Sequence, residues 1–271
     1  MENRKILFFD IDGTLLDCIN GLIDISPKVK KAIRDLQENG DYVFIASGRP
    51  YAFLNKTILD FGFDGFVLCN GAYVKVKDEV IYSEEIDKEF LRKMTTKFKE
   101  NNIQYILEGQ PYSYISENND DFINFYKSIG IESNLILNDC CDIENTNVYK
   151  IEAFCCDKND RSVCMDLVNA NLDYGYFNSI DERFFEIYLK KNHKANGILK
   201  ALEYLEIPLE NSYAFGDGDN DVEMLETVGC GIAMGNASDR VKSYAKEITD
   251  TVANDGVALG IEKYIGIPVL K

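Results

Sequence analysis

The sequence predicts a chain of two parts, an α/β unit built on a parallel sheet and an α+β insertion that interrupts it. Three observations carry this prediction. Short apolar runs alternate with helical periodicity over residues 1–82, the grammar of βαβ units whose strands are buried on both faces. The same alternation returns over 190–271. Between them, residues 83–189 mix longer amphipathic helices with alternating, tyrosine-rich strands.

In the first part, strands are expected over 5–10, 42–46 and 66–69. Pro27 opens a helix running to Asn39, with Val29, Ile33 and Leu36 at helical spacing and Gly40 as its stop. A second helix is expected from Pro50 to about Phe61. In the middle, Ile86, Phe90, Leu91, Met94 and Phe98 mark one helix face. Phe122, Phe125, Tyr126 and Ile129 mark another, and the 160–170 stretch a third. Strands are expected over 105–107, 112–115, 149–154, 174–177 and 184–189. The last part reads as helix 193–205, strand 213–215, helix 222–228, strand 231–234 and helix 239–246.

Composition narrows the function classes. The 271 residues carry 46 acidic against 29 basic side chains, a net charge of −17 with no basic stripe. That argues against a nucleic-acid or anionic-membrane partner and leaves a small anionic substrate open, because a local cation, Lys and Arg outweigh a distant field. The four apolar residues before Asp10 are fewer than a signal-peptide core needs, and no apolar run approaches membrane-spanning length. The eight cysteines form no C-x-x-C pair, and one histidine, His193, is too few for a Cys/His zinc site. Reduced, mostly buried thiols in a cytoplasmic protein are expected. Monomer and homodimer both fit.

Four stretches carry chemistry. Asp10-Ile-Asp12-Gly-Thr follows the apolar run Ile6–Phe9. In extended backbone, side chains at i and i+2 share a side, so Asp10 and Asp12 are expected to face one site, where they repel unless a cation or shared proton lies between them. An acidic turn is the plainer alternative. Ser47-Gly48-Arg49-Pro50 ends a strand at a helix start, where a hydroxyl and free N–H groups suit a phosphate, or where Ser47 merely caps the helix. Gly216-Asp217-Gly-Asp-Asn220-Asp221 brings several carboxylates to one strand end. It is no EF-hand, because its sixth position is Val222 and its twelfth Val228. A hard divalent cation accounts for it, Mg²⁺ being the usual one beside phosphates; an acidic turn with Asp221 as helix cap is the alternative. Lys194, in a basic turn before a helix, reads on its own as a solvated charge, and His193 as a surface residue.

Together these residues resemble the haloacid dehalogenase superfamily, more narrowly its Cof-type phosphatases of subfamily IIB, which carry a large α+β cap. The resemblance spans nearly the whole chain. It rests on Asp10–Leu15, Ser47–Arg49, Asn70–Ala72, Lys194, Gly216–Asp221, Gly231–Ala237 and Asp255–Ala258. It implies a Rossmann-like core over 1–82 and 190–271, a cap over 83–189, and the motifs gathered at the C-terminal ends of parallel strands. By the same resemblance, Asp10 is the nucleophile forming an aspartyl phosphate and Asp12 the general acid and base. Mg²⁺ is held by the Asp10 carboxylate, the Asp12 carbonyl and Asp217. Ser47, Gly48 and Lys194 take the phosphoryl oxygens with Asn220 nearby, and Asp221 orients Lys194 or a water on the metal. The expected function is hydrolysis of a small phosphorylated metabolite, such as a sugar phosphate, a nucleotide or a phosphorylated cofactor. The rivals are a phosphomutase on the same scaffold and a binding protein without turnover.

Overall fold

The structure, a computed structural model, describes residues 4–117, 119–128, 131, 133–138, 141–178 and 183–267. In chain order, the first stretch holds β1 (Ile6–Phe9), α1 (Pro27–Glu38), β2 (Tyr42–Ala46), α2 (Lys56–Phe61), β3 (Gly65–Leu68), β4 (Tyr73–Val76) and β5 (Glu79–Ser83). The middle holds α3 (Lys88–Asn101), β6 (Gln104–Gly109), β7 (Ser113–Ile115), α4 (Asp120–Ser128), β8 (Ile136–Asn138), β9 (Val148–Phe154), α5 (Lys158–Asn169), β10 (Tyr174–Asn178) and β11 (Phe184–Leu189). The last holds α6 (Lys194–Leu205), β12 (Ser212–Gly216), α7 (Val222–Thr227), β13 (Cys230–Ala233), α8 (Asp239–Lys242), β14 (Glu247–Ile248) and α9 (Gly256–Gly260).

The chain forms two compact units. One comprises 1–48, 56–83 and 193–271, the other 49–55 and 84–192. The first is a single eight-stranded sheet in the order β14-β13-β12-β1-β2-β3-β4-β5. Its strands run parallel from β14 through β3, and every residue of β1 is fully buried, as helices on both faces require. Helix α1 starts where the sequence places it: Ser26 Oγ accepts the N–H of Val29, Pro27 follows at the first helical position, and Val29, Ala32, Ile33 and Leu36 form the buried stripe.

Two features differ from the expectation. The sheet gains an antiparallel pair, β4 and β5, because the chain turns back at Lys77 (φ +51°) after a strand whose residues are only alternately buried. The helix expected over 50–61 is instead two pieces: a 3₁₀ turn over Tyr51–Phe53, then α2 from Lys56. The break puts Ala52 and Phe53 into the apolar core of the second unit, beside Ile106, Phe122, Tyr126 and Phe184.

The second unit is a six-stranded sheet in the order β10-β11-β9-β6-β7-β8, antiparallel except for the β7–β8 pair. One face packs a core of α3 and α5 residues, among them Phe90, Met94, Phe98, Cys164 and Val168, against Tyr105, Leu107, Ile151, Ala153, Phe185 and Ile187. The other face packs Phe122 and Tyr126 of α4 with Ala52 and Phe53. Ile129 lies outside the described residues. No helix among them is long and apolar enough to cross a membrane. Of the seven described cysteines, all unbridged, three are buried (Cys69, Cys155 and Cys164), three are half-buried and Cys156 is exposed, so burial is less general than expected.

Candidate active site

The site residues follow neighbouring parallel strands. Strands β12, β1 and β2 lie side by side with Phe9 level with both Phe215 and Ile45. Asp10, Ser47 and Asp217 therefore emerge one or two residues beyond the same line, at the C-terminal edge where open α/β sheets bind ligands. The Asp10 N–H still donates to the Phe215 carbonyl at 3.0 Å, which fixes its height above the sheet.

Lys194 opens α6 and is fully buried. Its Nζ donates to Asp10 Oδ1 and to Asp221 Oδ1, each at 2.6 Å. The lysine, a solvated charge on its local sequence alone and a site residue by the family resemblance, is thus the centre of the cluster. Its position is set by a close approach: Gly71 has φ +90°, and a Cβ there would lie 2.3 Å from the His193 carbonyl, so the 69–71 turn packs backbone-to-backbone on the start of α6. His193, expected on the surface, is half-buried by the same contact. Asp221, also fully buried, accepts the backbone N–H groups of Asp217 and Gly218 on Oδ2, both at 2.9 Å. One carboxylate thus ties the lysine to the Asp217 loop.

Asp217 is held from two sides. Thr14 Oγ1 donates to its Oδ1 at 3.1 Å, and Asn236 Nδ2 to its Oδ2 at 3.2 Å. The same Asn236 Nδ2 reaches the Gly13 carbonyl at 2.8 Å, while its Oδ1 accepts the Val252 N–H at 3.0 Å. Asn236 therefore joins three loops, a role that no periodicity in the sequence signals. Asn70, whose left-handed backbone (φ +52°) turns its side chain inward, accepts from Asn220 Nδ2 at 3.2 Å. A Cβ on Gly48 would lie 3.0 Å from the Asn70 Oδ1, so Gly48, Asn70 and Asn220 adjoin. Ser47 is buried.

Asp12 differs from Asp10 in burial. Strand β1 ends at Phe9, and the amides of Leu15 and Leu16 turn back onto the Ile11 carbonyl. Beyond burial, the Asp12 carboxylate still raises both Asp10 and Asp217 through its charge. Asp10 is buried, whereas the Asp12 side chain is exposed.

One oxygen from each of Asp10, Asp217 and Asp221 lies within 4.8 Å of the other two. Burial pushes the Asp10 carboxyl well above the usual carboxylate range; Lys194 opposes this and the neighbouring aspartates add to it. Burial, then Asp221, pushes Asp217 up to about 7. The Lys194 ammonium is raised because its carboxylate partners outweigh its burial. Three carboxylates against one ammonium leave an excess of negative charge on hard oxygen donors, and a divalent cation such as Mg²⁺ fits that donor set.

The sequence matches the haloacid dehalogenase-like hydrolase family over residues 7–261. The chain belongs to that family. Among its relatives, YkrA of Bacillus subtilis (strain 168) is 30% identical over 269 residues, covering 96% of this chain and 98% of its own. YitU of the same strain, named as a 5-amino-6-(5-phospho-D-ribitylamino)uracil phosphatase, is 28% identical and covers 98% of this chain and 100% of its own. A solved structure from Geobacillus kaustophilus HTA426 superposes with a TM-score of 0.87 at 29% identity, covering 98% and 100% of the two chains. A solved HAD subclass IIB sugar phosphatase superposes with a TM-score of 0.79 at 27% identity, covering 97% and 100%. The haloacid dehalogenase fold accounts for the mixed architecture, a parallel α/β unit with an α+β insertion.

Proposed function

We propose that the protein, a phosphoric monoester hydrolase by family, is a Mg²⁺-dependent phosphatase working through an aspartyl phosphate on Asp10. The observation that carries the reading is the buried ammonium of Lys194, held at 2.6 Å from both Asp10 and Asp221 beside a third carboxylate, Asp217. The ammonium counters the charge of the nucleophile without covering both of its oxygens: Lys194 takes Oδ1 of Asp10. Oδ2 attacks phosphorus in line, forming the Asp10–phosphorus bond as the bond to the leaving oxygen breaks. Asp12, exposed and able to reach solvent, gives its proton to the leaving alkoxide. It then takes a proton from the water that attacks the aspartyl phosphate, which releases inorganic phosphate and restores Asp10. Ser47, the Gly48 amide and Lys194 bind phosphoryl oxygens, with Asn220 positioned through Asn70.

The Asp10 carboxylate, the Asp12 carbonyl and Asp217 would hold Mg²⁺. Bound there, the ion would supply the positive charge that lets an anionic carboxylate approach an anionic phosphate. Asp221 has its own oxygens committed to Lys194 and two amides, so its task is to hold Lys194 and the Asp217 loop in place. The domain assignment follows: catalysis in the first unit, with the second as its cap.

Release of p-nitrophenol from p-nitrophenyl phosphate with Mg²⁺ tests the reading, and a panel of sugar, polyol and nucleoside phosphates extends it. Sugar and polyol phosphates come first, given the relatives that act on a phosphoribityl compound and on sugar phosphates. No phosphate release across the panel would sink the hydrolase; conversion of a sugar 1-phosphate to its 6-phosphate would make it a mutase. Asp10→Asn is expected to cost at least about 10³-fold in kcat with the circular-dichroism spectrum unchanged, since it removes the nucleophile and conserves volume. A folded variant that retains turnover overturns the assignment.

A further inference from the structure

The Asn70–Ala72 stretch, which shares in the family resemblance, has no task in the reaction on Asp10 beyond the bond that Asn70 accepts from Asn220. Its backbone is nonetheless unusual. Cys69, Asn70 and Gly71 are all left-handed, at φ +50°, +52° and +90°, and no other described residues adopt that conformation in succession. Glycine takes it freely and asparagine tolerates it, whereas cysteine does not, so the turn is imposed by what surrounds it.

What surrounds it is the set of residues assigned to the phosphoryl oxygens. The Asn70 N–H donates to the Ser47 carbonyl at 3.1 Å. Gly71 packs on the His193 carbonyl, immediately before Lys194. Asn70 Oδ1 accepts from Asn220 Nδ2 at 3.2 Å, and a Cβ on Gly48 would lie 3.0 Å from the same oxygen. Backbone and side chain of Asn70 are thus both fixed among Ser47, Gly48, Lys194 and Asn220.

The bond from Asn220 also sets which way the amide faces. It occupies the oxygen of Asn70 and leaves the nitrogen, a donor, on the other limb of the amide. Among the described residues nothing accepts from that Nδ2, yet the nitrogen is not sealed from solvent. Asn70 keeps 9% of its surface, beside half-buried Gly48 and exposed Asn220. A side chain that served Asn220 alone would need an acceptor and no donor.

We propose that Asn70 is a further phosphate-binding residue, giving an Nδ2 hydrogen to an oxygen of the phosphoryl group in transfer. The proposal rests on the phosphatase reading for its link to turnover. A phosphoryl group is the occupant that the chemistry selects, because its oxygens only accept and call for donors from several directions. The Ser47 hydroxyl, the Gly48 amide, the Lys194 ammonium and Asn220 are donors on neighbouring segments, and Asn70 lies between them.

The test reads oxyanion binding apart from turnover, by titration calorimetry of the full-length protein with orthovanadate and Mg²⁺. Vanadate takes the five oxygen neighbours of a phosphoryl group in transfer. Asn70→Asp keeps the shape and the acceptor for Asn220 but removes the donor. Asn70→Gly removes the whole side chain and suits the left-handed backbone, so its circular-dichroism spectrum is expected to match wild type. Each is expected to weaken vanadate binding, and to lower kcat/KM for p-nitrophenyl phosphate, by about tenfold or more, the scale of a hydrogen bond to a charged group. Unchanged vanadate affinity in both variants overturns the proposal. Adding Asn70→Gly to Asn220→Ala separates a direct contact from one made through Asn220. A further loss of about fivefold or more supports the proposal; no further loss means that Asn70 only holds Asn220, and overturns it. Absence of vanadate uptake by wild type overturns it too. Wild type that binds vanadate but hydrolyses no phosphomonoester counts against the catalytic reading alone, and the variants still decide the role of Asn70.

Discussion

Each unit of this chain buries one lysine among three carboxylates, and the two clusters are built in opposite ways. In the first unit, Lys194 and Asp221 sit on loops and a helix start beyond strand ends, where backbone amides are free to bond: Asp221 takes two of them as well as the lysine. In the second unit, Lys150 and its glutamates stand on paired strands, where most backbone amides belong to the ladder and side chains answer one another. The first cluster is therefore finished from within, whereas the second leaves Ser113 and Glu108 without hydrogen bonds. A strand end supplies backbone donors for a charged site; a strand middle supplies only a face of side chains.

Lysine removal gives the largest contrast. Lys194→Met leaves Asp10 and Asp221 buried without a counter-charge and is expected to cost about 3–5 kcal/mol in urea denaturation, the usual consequence of breaking a buried pair from one side. Lys150→Met is expected to cost clearly less, because Lys194 holds two carboxylates by hydrogen bonds of 2.6 Å whereas Glu108 makes no hydrogen bond to Lys150. Equal losses would break the comparison.

Gly13 sharpens it next. The residue has φ +80°, and a Cβ there would fall 2.1 Å from Asp217 Oδ2. Gly13→Ala must displace that carboxylate and is expected to cost about 1–3 kcal/mol and to weaken Mg²⁺ binding by titration calorimetry at least about tenfold. Gly21→Ala is the control: φ is +82° with nothing within 4 Å, so it carries the backbone strain alone and should leave Mg²⁺ binding in place. Matching calorimetric losses in the two variants would mean that Gly13 does not set the position of Asp217.

The same contrast explains what could be read from the sequence. Asp10, Ser47 and Asp217 were legible because strand-end sites leave short local signatures, an apolar run and then glycine and polar residues at fixed spacing, whereas Lys194, at a helix start, was placed only by the family resemblance. The parallel strands were legible for a related reason, since wholly buried strands such as Ile6–Phe9 read as unbroken apolar runs. Strands β4 and β5 were not, because Tyr73–Val76 is half-buried in alternation and Glu79–Ser83 has no buried residue. The Pro50–Phe61 stretch misled because its helical spacing concealed a break that tertiary packing of Phe53 decides. Thr14, Asn70 and Asn236 act across loops distant in sequence, and Glu108, Ser113, Lys150 and Glu186 meet only through strand register. Neither kind of contact has a local pattern to find.

The pH dependence of stability is the most direct measure of how the second cluster is charged. Burial, then the neighbouring glutamates, raises Glu152 from 4.5 to about 8. Between those values the folded chain holds a proton that the unfolded chain has released. The associated stability is complete below the unfolded value and is lost as pH rises through the folded one. Glutamine keeps the shape and an acceptor for the Tyr126 hydroxyl but never ionises, so Glu152→Gln is spared that loss. The melting temperature of the variant minus that of wild type should therefore grow from about pH 5 to about pH 8 and level off above. A rise of about 3 °C would correspond to roughly 1 kcal/mol in a chain of this size. A difference that stays constant with pH would mean Glu152 is equally charged in the folded and unfolded chains. The contrast between the two clusters would then rest on hydrogen bonding alone.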